Sequence, residues 1–135
     1  MIHFSYTTLS AAHSKPLFNH TMSQWTKLHP SHSIKFWTDA DNLSLIKLND
    51  LNDVYSYITQ PISRADFCRL LYLSLYGGIY SDLDFLPLVS LDQLLDEYKQ
   101  AEAIVGSMKI HDDTITDKRL LNGWDHAIPN ALMVS

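Results

Sequence analysis

The pair of glycines at 77–78 constrains the fold more than any other feature of the sequence. Residues 64–76 before it are strong helix formers without Gly or Pro, and Ser63 is placed to cap their first turn. Glycine ends helices because it adopts the left-handed cap conformation without steric cost. Residues 79–85 after it favour a strand, which Pro87 ends. The pattern therefore predicts a helix, a sharp reversal and a strand.

The predicted helix combines an apolar stripe with one pair of charges. Phe67, Leu71 and Leu75 form one apolar stripe at helical spacing, and Leu70 and Leu73 lie on another side. The helix is thus apolar on most of its circumference, which indicates packing against a sheet. Asp66 and Arg69 lie three residues apart, so their side chains are neighbours. Charged side chains are rarely buried unless they are paired or face a ligand. The two residues are therefore either an ordinary ion pair at the rim of the core or part of a binding site.

Two carboxylates, Asp82 and Asp84, lie in the strand predicted after the glycines. Alternate residues of a strand share a face and lie about 6.6 Å apart along it. This separation suits a division of labour in which one carboxylate ligates a hard divalent cation. The other would contact the cation through water or hydrogen-bond the substrate. A solvated strand end carries the same D-x-D pattern, so the pair alone does not identify a site.

The combination of these segments is far more specific than D-x-D alone. The string A-D-x-x-R at 65–69, Y-G-G-I-Y at 76–80 and D-L-D at 82–84 resembles the central motif of the D-x-D glycosyltransferases. That family has a sugar-binding region and includes initiating mannosyltransferases, capsular polysaccharide transferases and, more distantly, the clostridial glucosylating toxins. Trp25, Pro30, Trp37 and Asp39 also match the spacing of the family toward the N-terminus, although both Trp residues are interpreted as core.

The resemblance implies a metal-dependent, retaining transferase of glycan or polysaccharide synthesis. It would move a hexose from a nucleotide-diphosphate sugar to a hydroxyl of a glycan or other acceptor. Asp82 and Asp84 would be the catalytic carboxylates, with Asp84 holding Mn²⁺ or Mg²⁺ against the diphosphate leaving group. Asp66 and Asp82 would hydrogen-bond the ribose or the sugar, and Arg69 would help to hold the sugar.

Two further donor-binding residues follow from the resemblance. Residues 1–6 predict a short strand, and Tyr6 occupies the position of an aromatic residue, often Trp, that stacks on the nucleotide base. Tyr in place of Trp leaves the base open, and without the resemblance Tyr6 is best interpreted as a core residue. Residues 128–135 predict an edge strand, and Asn130 in this segment resembles an Asn that lines the donor pocket of the family.

Strands and helices alternate along the chain. This order predicts an α/β domain with a mostly parallel sheet, which the resemblance specifies as a single Rossmann-like domain of the GT-A type. Ligands of such sheets bind beyond the carboxyl ends of the strands, where Tyr6 and Asp82 would lie. The predicted strands are 1–6, 33–38, 79–85, 103–108 and 128–135, and the helices are 15–28, 40–48 with Asp39 as cap, 64–76 and 91–98.

One domain, the donor half of such a transferase, is expected over residues 1–135. Because domains of the family usually continue further, we expect the chain to be truncated at its C-terminus, with the acceptor side incomplete. The net charge of −5 and pI near 5.7 argue against nucleic-acid binding. The sequence shows no membrane span and no signal peptide, and its single cysteine, Cys68, fits a reducing compartment, so a cytoplasmic location is expected. The segment at 111–113, His-Asp-Asp, is interpreted as a solvated turn rather than a metal cluster.

Two alternatives belong to other functional classes. A haloacid dehalogenase phosphatase also places D-x-D after a strand, but it expects an apolar run before the motif and Thr or Val two residues after it. Tyr80 and Ser81 precede the motif here, and Leu86 occupies the later position. The non-enzymatic alternative is a nucleotide-binding remnant without transferase activity. The donor sugar, the acceptor and the oligomeric state are left open by the sequence.

Overall fold

A five-stranded sheet organises the chain in the computed structural model, which describes residues 1–105, 108–109, 126–127 and 130–135. A separate antiparallel pair is formed by the two short strands Met108–Lys109 and His126–Ala127. In chain order the strands are β1 (Ile2–Ser5), β2 (Ile34–Trp37), β3 (Ile79–Ser81), β4 (Ile104–Val105), β5 (Met108–Lys109), β6 (His126–Ala127) and β7 (Leu132–Val134).

Helices connect the first strands, and the longest of them leads into β3. In chain order the helices are α1 (Leu9–His13), α2 (Pro16–Leu28), α3 (Asp39–Leu48), α4 (Asn52–Tyr57), α5 (Pro61–Tyr76) and α6 (Asp92–Glu97). Of the helices in the described ranges, none combines the length and the apolar character that crossing a bilayer requires.

The five strands are ordered β2-β1-β3-β7-β4. The central strand β1 pairs in parallel with both β2 and β3, whereas β7 runs antiparallel to β3 and to β4. Four of the five strands therefore point in one direction. This arrangement confirms the predicted α/β domain with a mostly parallel sheet.

Helices cover both faces of this sheet. Phe4 of β1 packs in one core cluster with Ala12 of α1 and Trp25 of α2. Cys68 and Tyr72 of α5 pack in a second cluster on the opposite face. Because successive strand residues point to opposite faces, a sheet that is buried on both faces needs apolar residues at consecutive positions. The burial of both Ile79 and Tyr80 in β3 shows this pattern.

Two helix starts differ from the prediction. Helix α5 begins at Pro61 with Gln60 as its N-cap, so Ser63 lies inside the first turn rather than capping it. Proline suits the first helical position, because its missing N–H would have no partner there. Helix α3 begins at Asp39 itself, and Thr38 is its cap. The Thr38 side chain and Asp41 form a reciprocal capping box, which satisfies two backbone N–H groups.

Of the two apolar sides predicted for α5, the stripe of Phe67, Leu71 and Leu75 is only partly buried, whereas Leu73 on the other side is buried. Phe67 and Leu71 are half-buried, and Leu75 is 42% exposed. The helix is instead rotated so that the Tyr72 ring stacks on Trp37, with ring centroids 4.5 Å apart. A large aromatic contact thus decided the orientation that aliphatic spacing alone did not predict. The buried residues of α5 are Cys68, Arg69, Tyr72 and Leu73.

The reversal after α5 is confirmed, but the strand predicted at the C-terminus is not an edge strand. Gly77 and Gly78 have positive φ angles of 61° and 98°, and a Cβ at Gly78 would lie 2.4 Å from the backbone oxygen of Met1. Strand β7 is paired on both sides, by β3 and by β4. The predicted open edge is therefore wrong, because hydrogen bonds on both sides satisfy the backbone of β7. Of the strand predicted at 103–108, β4 is the first part, and the segment at 111–113 lies outside the described residues.

Candidate functional site

The loops that follow β1, β2 and β3 meet at one edge of the sheet. The backbone N–H of Tyr6 donates to the carbonyl oxygen of Trp37 (3.1 Å), and that of Asp39 donates to Thr7 (3.3 Å). These two bonds join the loop after β1 to the start of α3. A cavity of about 490 Å³ opens here, and Tyr6, Arg69 and Asp82 lie in its wall. Its position at the carboxyl ends of parallel strands is the one predicted from the sequence.

The D-x-D motif lies in a turn rather than in a strand. Strand β3 ends at Ser81, and the backbone N–H of Phe85 donates to the carbonyl oxygen of Asp82 (3.1 Å). The prediction that Asp82 and Asp84 share one strand face is therefore wrong. Aspartate is depleted in strands and stabilises turns through its own side chain, which explains the early end of the strand.

A charged network, the Arg69 cluster, consists of Asp66, Arg69, Tyr80, Asp82 and Asn130. Arg69 is only 5% exposed. Its Nη2 lies 3.3 Å from Oδ1 of Asp66, and its Nη1 lies 3.2 Å from Oδ1 of Asp82. Nη1 also donates to the backbone oxygen (2.8 Å) and to Oδ1 (3.1 Å) of Asn130. One guanidinium thus joins α5, the turn after β3 and the segment before β7.

Two members of the cluster hold its carboxylates from other directions. The Tyr80 hydroxyl donates to Oδ1 of Asp82 (2.8 Å), and Nδ2 of Asn130 donates to Oδ1 of Asp66 (2.8 Å). The Arg69 guanidinium lies over the Tyr80 ring, 4.7 Å from its centroid. Burial raises the pKa of Tyr80 far above its usual range, so the hydroxyl stays a proton donor at neutral pH.

The cluster leaves capacity for a ligand. The side chains of Asp66 and Asp82 are 40% and 29% exposed, and each carboxylate carries more lone pairs than these contacts use. Within the described residues, no atom accepts a hydrogen bond from Nε of Arg69. Two carboxylates and one guanidinium also leave the cluster with a net negative charge. The arrangement can therefore accept hydrogen bonds from hydroxyl groups in fixed directions.

Asp84 is separate from this network. It is exposed in the turn, and among the described residues its side chain forms no ion pair or hydrogen bond. The described residues contain no group of three His, Cys, Asp or Glu side chains that could hold a metal ion. A hard cation on Asp84 would thus take its other oxygen ligands from water and from a diphosphate, which is how Mg²⁺ is commonly bound. The donor set fits a divalent cation that is shared with a substrate.

Tyr6 is half-buried at the wall of the cavity. Its ring packs edge-on against Phe18, at 5.3 Å between centroids, and Nζ of Lys15 lies 5.0 Å from the centroid of Tyr6. It also borders the core cluster around Phe4. Part of the ring thus packs against the core, and part borders the cavity. Base stacking by Tyr6 stays a prediction.

The structure brings together most of the residues predicted for the site. Asp66, Arg69, Asp82 and Asn130 form one network, and Tyr6 lies in the wall of the adjoining cavity. Sequence reasoning missed Tyr80 as a contributor, although its place between Ile79 and Ser81 in a short strand turns it toward α5. It also assigned no site role to Arg64, which lies in the same cavity wall.

Comparisons with known proteins agree with this geometry. The family described as "glycosyltransferase sugar-binding region containing DXD motif" matches residues 16–101, which contain α5, β3 and the D-x-D turn. No solved structure matches the chain.

Three curated relatives are yeast proteins. The initiation-specific alpha-1,6-mannosyltransferase of Schizosaccharomyces pombe is 29% identical over an alignment of 99 residues, and the match covers 64% of this chain and 25% of that protein. The mannosyl phosphorylinositol ceramide synthases CSH1 and SUR1 of Saccharomyces cerevisiae are 39% and 41% identical over 75 and 73 residues. These matches cover 49% and 50% of this chain, and 20% and 18% of the two relatives. The matches favour a transferase over a dehalogenase-type phosphatase, and the chain belongs to the family of glycosyltransferases with a DXD-containing sugar-binding region.

Proposed function

We propose that this chain binds a nucleotide-diphosphate sugar and forms the donor side of a metal-dependent, retaining hexosyltransferase with a hydroxyl acceptor in glycan or polysaccharide synthesis. The observation that carries the proposal is the Arg69 cluster beside a cavity that Tyr6 also borders. All three relatives are named for mannosyl transfer, which supports a hexosyl donor. Because the matched segments are only 18–25% of those relatives, the acceptor and the complete activity rest on the proposal.

The environment of each side chain suggests its role in donor binding. Asp82 is held by Arg69 and Tyr80, so its carboxylate accepts from a hydroxyl of the ribose or the sugar. Asp66 and Asn130 likewise accept hydrogen bonds from hydroxyl groups of the sugar. Arg69 helps to hold the sugar because it orients these side chains. Asp84 has no protein partner among the described residues and is the ligand that we assign to Mn²⁺ or Mg²⁺. When bound, the cation supplies Lewis acidity and neutralises the diphosphate leaving group.

Substitution of Asp84 tests this assignment. Mn²⁺ is titrated with and without a nucleoside diphosphate, and binding is measured by calorimetry for the wild type, Asp84→Asn and Asp96→Asn. Asp96 is exposed on α6 and serves as a carboxylate control away from the cavity. We expect Asp84→Asn to lose the metal-dependent part of nucleotide binding, by about 10–100-fold or more, since even indirect disturbance of a metal ligand costs that much. Unchanged metal dependence in this variant would overturn the assignment.

A further inference from the structure

The segment that follows the D-x-D turn carries exposed apolar side chains. Residues 85–91, which we call the 85–91 loop, read F-L-P-L-V-S-L and contain no charged residue. Leu88 is 83% exposed and Val89 is 68% exposed, and Phe85 and Leu86 are exposed as well. Single exposed apolar residues are common on protein surfaces, but a run of them marks an interaction site. The loop is therefore a candidate contact surface.

Helix α2 holds the loop at both ends. The carbonyl oxygen of Phe85 accepts from Nε1 of Trp25 (3.2 Å), and the backbone N–H of Leu91 donates to Nε2 of His29 (2.9 Å). Trp25 and His29 lie one helical turn apart and are both buried, and their rings stack with centroids 4.8 Å apart. Because Nε2 of His29 accepts, Nδ1 carries the proton and donates to the carbonyl oxygen of Trp25 (3.2 Å). Buried side chains thus fix the start and the end of the loop.

A third point of attachment lies in the middle of the loop. Pro87 is buried, although the residues on both of its sides are exposed. Its ring also fixes the backbone φ angle at this position. The loop backbone is thus attached at its start, its middle and its end, while its apolar side chains are exposed to solvent. Less conformational entropy is lost when such a pre-arranged surface docks than when a free loop does.

The composition of the loop fits hydrocarbon better than a protein partner. The residues that dominate protein–protein binding are Trp, Tyr and Arg, whereas Leu and Val are under-represented among them. The loop contains none of the first three, but it has three Leu and one Val. Aliphatic side chains gain free energy in any apolar phase, because the hydrophobic effect is non-directional and needs no matching pocket. A lipid surface is therefore the partner that this loop fits.

The charges beside the loop indicate which lipid surface fits. Asp84 precedes the loop and Asp92 follows it, and both residues are exposed. The chain as a whole has a net charge of −5. Anionic headgroups would repel these carboxylates, whereas zwitterionic headgroups carry no net charge. The loop is thus complementary to a zwitterionic bilayer surface.

We propose that the 85–91 loop inserts its apolar side chains into the interface of a zwitterionic bilayer and docks the chain on a membrane surface. A single short apolar element gives reversible membrane binding rather than a permanent anchor, so the docked and free states exchange. Because Asp84 directly precedes the loop, docking holds the D-x-D turn beside the bilayer. This inference goes beyond the proposed function and does not depend on it.

The test measures binding to lipid vesicles in the absence of nucleotide and metal. Partition onto phosphatidylcholine vesicles is determined by flotation for the wild type, Leu88→Asp, Leu88→Phe and Leu48→Asp. Leu48 is the matched control, because it is also a leucine and is 82% exposed at the end of α3. Helix α3 contributes to the core cluster on the opposite face of the sheet from α2.

We expect the wild type to bind these vesicles and Leu88→Asp to bind about 10-fold or more weakly, since burial of a leucine side chain is worth at least that factor. Leu48→Asp should bind as the wild type does. Leu88→Phe should also keep binding, because a lipid phase accepts any apolar shape. Phosphatidylserine in the vesicles should weaken binding of the wild type, and added salt should reverse this loss. All variants should unfold at the temperature of the wild type, because both leucines are exposed.

Four outcomes would overturn the inference. They are no binding by the wild type, equal losses in Leu88→Asp and Leu48→Asp, binding only to vesicles with phosphatidylserine, and loss of binding in Leu88→Phe. Sedimentation without lipid adds a fifth: a wild-type dimer that Leu88→Asp converts to a monomer would assign the loop to a second copy of the chain. The proposed donor site stands in each case, because none of these measurements uses nucleotide or metal.

Discussion

His3 of β1 and Arg69 of α5 are both buried polar side chains, yet their surroundings are opposite. Both ring nitrogens of the fully buried His3 are paired: Nδ1 accepts from Nε1 of Trp37 (3.0 Å), and Nε2 donates to the backbone oxygen of Gly77 (2.8 Å). Its ring packs beside the stacked pair of Trp37 and Tyr72, with its centroid 6.1 Å from that of Trp37 and 6.0 Å from that of Tyr72. Arg69 instead contacts two partly exposed carboxylates at a cavity.

The difference shows that burial of a polar group does not by itself identify a site. In the His3 cluster, formed by His3, Trp37 and Tyr72, both ring nitrogens of the buried His3 are already paired within the protein. The Arg69 cluster has spare lone pairs on Asp66 and Asp82 and borders a cavity of about 490 Å³. Unused capacity in a fixed geometry is what a binding site needs. The predictions below separate a cluster that stabilises the fold from one that binds a ligand.

The largest effect on stability is expected for His3→Leu. The substitution leaves Nε1 of Trp37 and the backbone oxygen of Gly77 without partners in the core, and each costs about 1–3 kcal/mol. We expect the free energy of unfolding, measured by urea denaturation, to fall by about 2–6 kcal/mol. His20→Leu on the exposed face of α2 is the control and should change it by about 0.5 kcal/mol or less. Equal effects of the two variants would show that the His3 cluster is not a structural centre.

Arg69→Lys is expected to affect ligand binding more than folding. Lysine keeps the charge, but a single ammonium group cannot reproduce the guanidinium fork that contacts Asp66, Asp82 and Asn130. We expect the binding free energy of a nucleotide sugar to weaken by about 1.5–3 kcal/mol, the range for hydrogen bonds to charged groups. Calorimetric affinity and donor hydrolysis are measured beside thermal unfolding. A folded variant with wild-type affinity and hydrolysis would show that Asp66 and Arg69 form only a structural ion pair.

Tyr6 lies between the two kinds of cluster, since part of its ring packs in the core and part borders the cavity. We expect Tyr6→Ala to weaken nucleotide binding by about 1–3 kcal/mol, the value of a lost stack on a base. Tyr6→Phe keeps the stacking face and should bind almost as the wild type does. Affinities are measured by calorimetry after unfolding curves have been recorded. If Tyr6→Ala unfolds the domain before it weakens binding, Tyr6 belongs with the core.

The bounds of several strands and helices were predicted from patterns among neighbouring residues in the sequence. The strands β1 and β2 and the helix α2 lie within one or two residues of their predicted bounds, because each is marked by alternation, by Pro16 or by His29 and Pro30. Glycine at positive φ likewise placed the end of α5. These features depend on nearest neighbours in the sequence, so the sequence alone reveals them.

The site was predicted less completely, because its contacts join distant residues. Spacing identified Asp66, Arg69 and Asp82, but the bonds from Arg69 to Asn130 span 61 residues and leave no local pattern. The rotation of α5 depends on the stacking of Tyr72 on Trp37, which is also a contact between distant segments. Strand β3 is also shorter than the strand predicted at 79–85, because a turn begins at Asp82.

The smallest expected effect is the pH dependence of the free energy of unfolding that arises from protonation of His3. Burial lowers the pKa of His3 below its usual value of about 6.5, and the bond to Gly77 opposes this shift only in part. Nδ1 accepts from the indole of Trp37, so a second proton on the ring would face another N–H group. The folded state therefore keeps His3 neutral at pH values at which the unfolded chain already binds a proton.

The sign of the pH dependence follows from this difference. Above about pH 6.5 both states are neutral at His3, and the stabilisation is fully present. Below it the unfolded state binds more protons, so the free energy of unfolding falls by up to about 1.4 kcal/mol per pH unit until the folded pKa is reached. Urea midpoints between about pH 5 and pH 8 measure this slope, and His3→Leu should lack the contribution of His3, while the other six histidines are present in both proteins. An equal slope in the two proteins would place the titrating group elsewhere and leave His3 a structural residue without a part in the acid sensitivity of the fold.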